Sequence, residues 1–227
     1  MKVIELGRSV TDSNDRDARQ LRQKMKAQGT LLINLMSAPG SGKTTLLSRI
    51  IRDLEGVQVA VMEADIDSAV DAERMEALGA RAIQVHTGGM CHMDAGMTAA
   101  AVEELGPGAD LVFLENVGNL ICPAEYDTGA GLKVMLLSVP EGDDKPLKYP
   151  LMFREADALV ITKTDTLGWF DFDLEQCRLR AEKLHPGIRI FPVSAKTGEG
   201  MQALEDWLLE QLNHWRNEEG PDYARDL

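Results

Sequence analysis

A glycine-rich loop near residue 40 has the composition of a phosphate-binding site. The run Ser-Ala-Pro-Gly-Ser-Gly-Lys-Thr-Thr spans residues 37–45, between an apolar stretch and a helix-forming one. Gly40 and Gly42 let the backbone turn its N–H groups towards a polyphosphate, and the positive end of the following helix points to the same place. Lys43 can reach the β- and γ-phosphates, and the Thr44 hydroxyl can ligate Mg²⁺. The predicted nucleotide contacts of this loop are Gly40, Ser41, Gly42, Lys43, Thr44 and Thr45.

Two later loops have residue types that distinguish guanine from adenine. Asp165 follows the predicted strand Ala158–Thr162, and its carboxylate can accept from N1–H and from the exocyclic amine of guanine. The Lys163 stem can lie over the base. The next predicted strand is followed by Ser194, Ala195 and Lys196. Backbone N–H groups there could donate to guanine O6, so GTP is favoured over ATP. Thr162 replaces the Asn of the usual Asn-Lys-x-Asp motif, which leaves Asp165 as the firmer contact.

Two carboxylates follow predicted strands beside the phosphate loop. Asp65 and Glu115 can hold Mg²⁺ directly or through water, although either could instead be a solvent-facing strand end. The Gly118 N–H is placed to contact the γ-phosphate, as in Asp-x-x-Gly loops. Lys43, Asp65 and Glu115 are therefore the predicted catalytic residues. Asp65 is the candidate for the base that activates water, and slow turnover is expected because no residue stands out in that role.

Cysteine and histidine side chains occur on two other predicted strand-end loops. Cys91 and His92 follow the third strand, and Cys122 follows the Glu115 loop. These residue types are soft and borderline metal ligands, and a symmetric dimer would supply further ligands. On spacing alone, Cys91 could equally be a buried thiol and His92 a helix-start residue. Cys177 lies on a predicted amphipathic helix and is interpreted as a small apolar residue.

The elements between these motifs predict an α/β fold. The predicted strands are Leu31–Met36, Val57–Glu63, Arg81–Val85, Leu111–Glu115, Lys133–Val139, Ala158–Thr162 and Arg189–Val193. The predicted helices are Lys43–Leu54, Val70–Leu78, Asp94–Leu105, Asp173–His185 and Met201–Leu212. Alternating strands and helices, with several strands apolar on both faces, predict a mostly parallel central sheet covered by helices on both faces. Ligands bind at the carboxyl ends of such strands.

Composition limits the class of protein. The 227 residues include 24 Lys and Arg against 37 Asp and Glu, a net charge of −13. Such acidity disfavours nucleic acid or an anionic membrane as partner. No apolar run is long enough to span a bilayer, no signal peptide is evident, and three cysteines make no disulfide framework. A cytoplasmic protein is expected.

We expect three regions along the chain. Residues 1–28 form an N-terminal helical extension, residues 29–215 the nucleotide-binding domain with its metal site, and residues 216–227 a polar tail. Ala18, Leu21 and Met25 give the extension a narrow apolar stripe. This helix could dock on the domain or on a second subunit, or it could be solvated.

From about Thr30 to Trp207 the sequence resembles the HypB GTPases, P-loop GTPases of the SIMIBI class that deliver nickel during [NiFe]-hydrogenase maturation. The most specific segments are Thr-Gly-Gly-Met-Cys-His-Met-Asp-Ala at 87–95, Glu-Asn-Val-Gly-Asn-Leu-Ile-Cys-Pro at 115–123 and Ser-Val-Pro-Glu-Gly-Asp-Asp-Lys-Pro-Leu-Lys-Tyr-Pro at 138–150. The resemblance implies a GTPase that dimerises with GTP, with Cys91, His92 and Cys122 binding Ni²⁺ or Zn²⁺ at the interface. It also implies a nickel-chaperone partner of the HypA type and the hydrogenase large subunit precursor as partners.

Some features depart from that family. Residues 1–28 have no Cys or His, so the N-terminal metal motifs of some members are missing, and the run Asp-Ile-Asp-Ser at 65–68 is unusual. The related urease GTPase UreG carries Cys-x-His rather than adjacent Cys91 and His92, which disfavours a urease-type nickel GTPase. Two further functions are compatible with the sequence, a P-loop small-molecule kinase and a metal-buffering protein that does not depend on nucleotide.

Overall fold

Seven strands of the described residues form one parallel sheet. The computed structural model describes residues 6–65 and 70–217, with only the backbone described for 6–12, 65 and 70–72. The strands are β1 Leu31–Ser37, β2 Val59–Asp65, β3 Arg81–His86, β4 Leu111–Glu115, β5 Leu132–Ser138, β6 Ala158–Thr162 and β7 Arg189–Pro192. Their order is β3-β2-β4-β1-β5-β6-β7, and every neighbouring pair is parallel. All carboxyl ends therefore meet at one edge, with β1 in the middle.

Helices cover both faces of this sheet. They are α1 Leu6–Gln28, α2 Lys43–Asp53, α3 Val70–Ala77, α4 Ala95–Leu105, α5 Cys122–Glu125, α6 Lys145–Lys148, α7 Pro150–Glu155, α8 Leu174–Leu184 and α9 Met201–Asn217, with 3₁₀ turns at Val139–Glu141 and Thr164–Trp169. Successive β6 residues lie in different apolar clusters. Val160 belongs to the cluster that includes residues of α2, α4 and α9, whereas Leu159 and Ile161 belong to the cluster that includes residues of α7 and α8. This alternation is what a strand buried on both faces requires.

The N-terminal helix α1 packs onto the domain. The predicted stripe is buried, with Ala18 0%, Leu21 3% and Met25 1% exposed. Leu21 and Met25 belong to the same apolar cluster as β1 and β4, so the interpretation as a solvated helix is wrong for this stretch. The division between extension and domain stays a prediction.

The last helix, α9, is longer than predicted. It continues from the predicted end at Leu212 to Asn217, because Trp215 extends its buried stripe and the Arg216 guanidinium donates to the Gly29 carbonyl at 2.8 Å. The predicted tail therefore begins inside a helix, and its residues 218–227 lie outside the described part of the chain. Among the described residues, none of the helices has both the length and the apolar composition to cross a membrane.

Candidate functional site

The phosphate loop joins β1 to α2 at the centre of the carboxyl edge. Gly40 and Gly42 have φ of 75° and 96°, a left-handed conformation that favours glycine. The Lys43 ammonium donates to the Ser37 hydroxyl at 2.9 Å, and the Ser41 hydroxyl donates to the same oxygen at 2.7 Å. The buried Ser37 hydroxyl therefore joins two residues of the loop and helps to organise it.

A cleft of about 570 Å³ opens above this loop. Its lining consists of Pro39, Gly40, Gly42, Lys43, Thr44, Thr45, Glu63, Ala64, Glu115, Asn116, Val117, Gly118 and Lys163. Gly118 lies so close to the phosphate loop that a Cβ there would stand 2.9 Å from Pro39 Cγ and 3.1 Å from Pro39 N. Gly118 therefore lies directly against the phosphate loop, at a place where only glycine fits, and its contact with the γ-phosphate stays a prediction.

Two carboxylates lie side by side in the cleft. Glu63 of β2 and Glu115 of β4 are paired in register, and the Lys43 ammonium lies 3.8 Å from Glu115. Together with the Thr44 hydroxyl they offer the hard oxygen ligands that Mg²⁺ prefers, so the donor set fits this ion. Glu63 was not predicted, although an acidic residue inside an apolar strand was a visible signal. Asp65 ends β2, but only its backbone is described, so its role stays a prediction.

The predicted guanine loops lie together at the ends of β6 and β7. The Ser194 hydroxyl donates to the Asp165 carboxylate at 2.8 Å, and the Thr164 N–H donates to the Val193 carbonyl at 3.2 Å. Ser194 is buried, Ala195 is half-buried and Lys196 is exposed. These residues are not part of the cleft lining, which reaches this side of the sheet at Lys163.

Lys163 and Thr162 connect the guanine loops to the phosphate loop. The Lys163 ammonium donates to the Gly40 carbonyl, and the Thr162 hydroxyl donates to the Ser41 carbonyl, both at 2.6 Å. Lys163 adopts a left-handed conformation with φ of 59°, which is uncommon for a residue with a side chain. The sequence left it open whether Thr162 contacts guanine. In the structure, Thr162 positions the phosphate loop.

Cys91, His92 and Cys122 converge as predicted. Their ligand atoms all lie within 4.8 Å of one another. Cys91 Sγ is 3.0 Å from Cys122 Sγ and 3.7 Å from His92 Nδ1, and both cysteines are free thiols. Two thiols and an imidazole form a donor set that suits a borderline ion such as Ni²⁺ or Zn²⁺.

The surroundings of the cluster act in opposite directions on its two kinds of ligand. Hydrogen bonding to Cys122 raises the pKa of the Cys91 thiol, which without a metal ion favours the protonated thiol over the thiolate that binds metals. Burial lowers the pKa of His92, which keeps its imidazole in the neutral form that binds metals. The His92 ring stacks on Tyr126 with centroids 3.8 Å apart. Tyr126 was missed because no motif marked it.

The cysteine assignments also follow from exposure. Cys91 is exposed, which rules out the buried-thiol interpretation. Cys177 is buried on α8, and burial raises its pKa to about 12, so its assignment as a packing residue is confirmed.

One loop, residues 115–122, connects the cleft to the cluster. Asn116 is 1% exposed, and its side-chain oxygen accepts from Met93 N at 3.2 Å while its amide donates to Asn34 Oδ1 at 3.0 Å. Asn119 donates through its backbone N–H to the Ser37 carbonyl at 2.9 Å and through its amide to the Cys91 carbonyl at 3.3 Å. The sequence assigns Asn116 no role, because only the fold shows its partners.

Comparison with known proteins agrees with this geometry. Residues 31–192 match the family described as CobW/HypB/UreG, nucleotide-binding domain. The hydrogenase maturation factor HypB of Rhizobium leguminosarum bv. viciae is 45% identical over 209 residues, covering 91% of this chain and 70% of the relative. The chain belongs to the HypB family. HypB of Escherichia coli strain K12 is 46% identical over 213 residues, covering 92% of this chain and 73% of the relative.

A solved HypB structure has the same fold. The crystal structure of HypB from Helicobacter pylori in complex with nickel superposes with a TM-score of 0.85 at 37% identity, covering 92% of this chain and 99% of that one. The predicted fold, a P-loop NTPase with a central parallel sheet, is confirmed. Membership of the HypB family decides against a small-molecule kinase, and the chain is a nucleotide-hydrolysing enzyme in the general sense of that family.

Proposed function

We propose that this HypB-family chain is a GTP-hydrolysing nickel chaperone for hydrogenase maturation. The observation that carries the proposal is the loop 115–122, which lines the nucleotide cleft with Glu115–Gly118 and ends at the metal-site residue Cys122. A nucleotide that moves this loop would act on a bound metal ion directly. The homologous Helicobacter pylori HypB was crystallised with nickel, and the Cys–His–Cys donor set here suits the same ion.

The chain's residues would divide the work of GTP hydrolysis between them. Lys43 and the N–H groups of the phosphate loop neutralise the phosphates, and Asp165, oriented by Ser194, reads the guanine edge. Thr44 and Glu115, with Glu63 beside them, would hold Mg²⁺, which supplies further neutralisation of phosphate charge. Asp65 remains the candidate for orienting the attacking water. Because no stronger base lines the described cleft, turnover by the protein alone is expected to be slow.

We extend the proposal to assembly and partners. With GTP bound, two copies would associate and complete the metal coordination shell, and hydrolysis would release nickel to a partner. The proposed partners are a nickel chaperone of the HypA type and the hydrogenase large subunit precursor. The free thiols fit a cytoplasmic setting, and Zn²⁺ is the competing ion at this site.

The test combines hydrolysis, assembly and metal transfer. Purified protein should hydrolyse GTP in preference to ATP, and size-exclusion chromatography should show a dimer with a non-hydrolysable GTP analogue but less dimer with GDP. Nickel-loaded protein should activate a hydrogenase precursor only when GTP is hydrolysed. The proposal would be overturned if nickel delivery were equal with GTP, with its analogue and without nucleotide. That result would favour a metal-buffering protein that does not depend on nucleotide.

A further inference from the structure

The start of α1 lies against both loops that carry the metal-binding residues. The first metal loop, residues 87–94, contains Cys91 and His92, and the second metal loop, residues 116–131, contains Cys122. The Asn14 side chain, on α1, is hydrogen-bonded to the backbone beside or within each of these two loops. Its side-chain oxygen accepts from Ala95 N, directly after the first loop, and its amide donates to the Asp127 carbonyl in the second, each at 2.9 Å.

The bond to Ala95 fixes the end of the first metal loop. Ala95 opens α4, and its N–H is one of the groups that a helix leaves unpaired at its first turn. Asp94 caps the same turn by accepting from Met97 N at 2.8 Å. Asn14 adds a second cap from another helix. His92 lies only three residues before Ala95, so the position of α4 limits where its ring can lie.

The second metal loop is held more firmly. The Arg22 guanidinium donates to the Asp127 carboxylate at 2.7 and 2.8 Å and to the Ala130 carbonyl at 3.1 Å. Gly129 fits so closely against α1 that a Cβ there would stand 2.9 Å from Leu21 Cδ2. Tyr126, which stacks on His92, immediately precedes Asp127. Helix α1 is thus bonded to the chain on both sides of the cluster.

We infer that Asn14 is a positioning residue for the Cys91–His92–Cys122 cluster, because it bridges the two metal loops and holds their ligands at binding distance. The inference rests on the proposed metal function. Neither Ala95 nor Asp127, the two residues to which the Asn14 side chain is hydrogen-bonded, lines the cleft, so we expect its influence to fall on the metal site and not on nucleotide chemistry. Residues outside the ligand set that orient it typically change metal affinity by about 10–100-fold.

The experiment titrates the metal-free full-length chain with Ni²⁺ alone, using a chromophoric competitor, and records the nickel–thiolate absorption bands. Asn14→Ala should weaken Ni²⁺ binding about tenfold and shift or weaken those bands. Asn14→Asp keeps an acceptor for Ala95 N but loses the donor to Asp127, so it should restore part of the affinity. Hydrolysis of GTP in the presence of Mg²⁺ but without Ni²⁺ should be the same in all three proteins.

A matched control separates positioning from general destabilisation. Met25→Ala truncates a buried side chain at the other end of α1, so it should lower the urea midpoint of unfolding more than Asn14→Ala while leaving Ni²⁺ affinity and the absorption bands unchanged. Equal losses of affinity in both variants would overturn the inference. So would an Asn14→Ala protein that binds Ni²⁺ like the unaltered chain. Failure of the unaltered chain to bind Ni²⁺ would instead overturn the proposed function, and with it the role of Asn14.

Discussion

The nucleotide cleft and the cysteine–histidine cluster are held in place differently, although loop 115–122 serves both. The central cleft residues lie on the sheet or directly beside it. Lys43 is buried at the start of α2, joined to β1 by the phosphate loop, and Glu63 and Glu115 lie within paired strands. The cluster lies outside the sheet, on the loop 87–94 and at the start of the four-residue helix α5, and Cys91 is exposed. Its geometry depends on α1, on Tyr126 and on Asn116.

This difference teaches what each site tolerates. A site made by strand ends inherits the rigidity of the sheet, since each strand is bonded to its neighbours along its length. A site made by loops depends on a few side-chain bonds, each of which contributes little alone. We therefore expect GTP hydrolysis to fall mainly when residues of the cleft itself are substituted. We expect metal affinity at the cluster to fall also when residues that contact its loops are substituted.

The largest effect is expected from Lys43→Ala. Removing this ammonium takes away a charge aimed at the phosphates, so GTP hydrolysis should fall by about 10²–10³-fold in single-turnover assays. Nickel affinity without nucleotide should not change, because Lys43 touches none of the three metal-binding residues. A parallel loss of nickel affinity would show that the two sites are not separately supported.

Cys122→Ala should have the next largest effect, a loss of metal affinity at the cysteine–histidine cluster. Loss of one of three ligands should weaken Ni²⁺ and Zn²⁺ binding by at least about 10²-fold, beyond the range of changes outside the ligand set. The matched control is Cys177→Ala, which removes a buried thiol on α8 and should leave affinity unchanged. Equilibrium dialysis of both variants measures this, and normal binding by Cys122→Ala would remove Cys122 from the site.

Asp165→Asn tests the base-reading part of the cleft. Its carboxylate would make charge-assisted hydrogen bonds to guanine, so its loss should weaken GTP binding by about 10–100-fold. Xanthosine triphosphate should gain affinity, since its 2-carbonyl can accept from the new amide. Competition with a fluorescent nucleotide reports both constants. If GTP remains preferred over the xanthine nucleotide by the original ratio, Asp165 does not read the base.

Asn116→Ala is the substitution that should affect both regions at once. It leaves the buried Asn34 amide oxygen and the Met93 N–H without their partner, which should lower the free energy of unfolding by about 1–3 kcal/mol. Nickel affinity should also fall, and it should respond less to GTP. Asn119→Ala, at a less buried position of the same loop, should destabilise the protein less. Urea denaturation and nickel titration with and without nucleotide check these outcomes.

The smallest effect, a change in the free energy of unfolding, is expected at Glu205 of α9. Burial raises the pKa of Glu205, and nearby Asp53 raises it further. A carboxyl group with a raised folded pKa opposes folding once pH exceeds that pKa, and it imposes no penalty below its unfolded pKa. Glu205→Gln should therefore stabilise the protein at pH 7 by less than about 1 kcal/mol and give no gain near pH 4. Thermal unfolding at both pH values tests the sign, and GTP hydrolysis should not change.

Much of the fold follows from local sequence signals. The bounds of β4 and β6 match the prediction, because their apolar runs end at a charged or polar residue. Helices α5, α6 and α7 were missed, since each has only four to six residues and a proline in its first turn. The end of α9 was misjudged because Trp215 packs against elements far away in sequence. Strand order is a tertiary property that periodicity does not encode.

The two sites differ in how far sequence could predict them. The phosphate loop has a fixed spacing within one turn, so its residues were identified together. Cysteine and histidine marked the cluster residues only as candidates, and it was the resemblance to the HypB GTPases that predicted a metal site there. Glu63, Thr162 and Asn116 were missed or left in doubt because each acts through a partner from another strand or loop. Their residue types are common in loops and at strand ends, and only the folded chain shows what they contact.

The loop 115–122 also bears on how such a protein can change over generations. Gly118 is pressed against Pro39, and Asn119 is bonded through its backbone to Ser37, so the loop has fixed points on the cleft side and ends at Cys122 on the metal side. If a residue were inserted or deleted between Asn119 and Cys122, either the cleft residues or the metal-binding Cys122 would be moved out of place. The two capacities would therefore be inherited and lost together, and recombination that exchanged only one of them would have to cut outside this stretch.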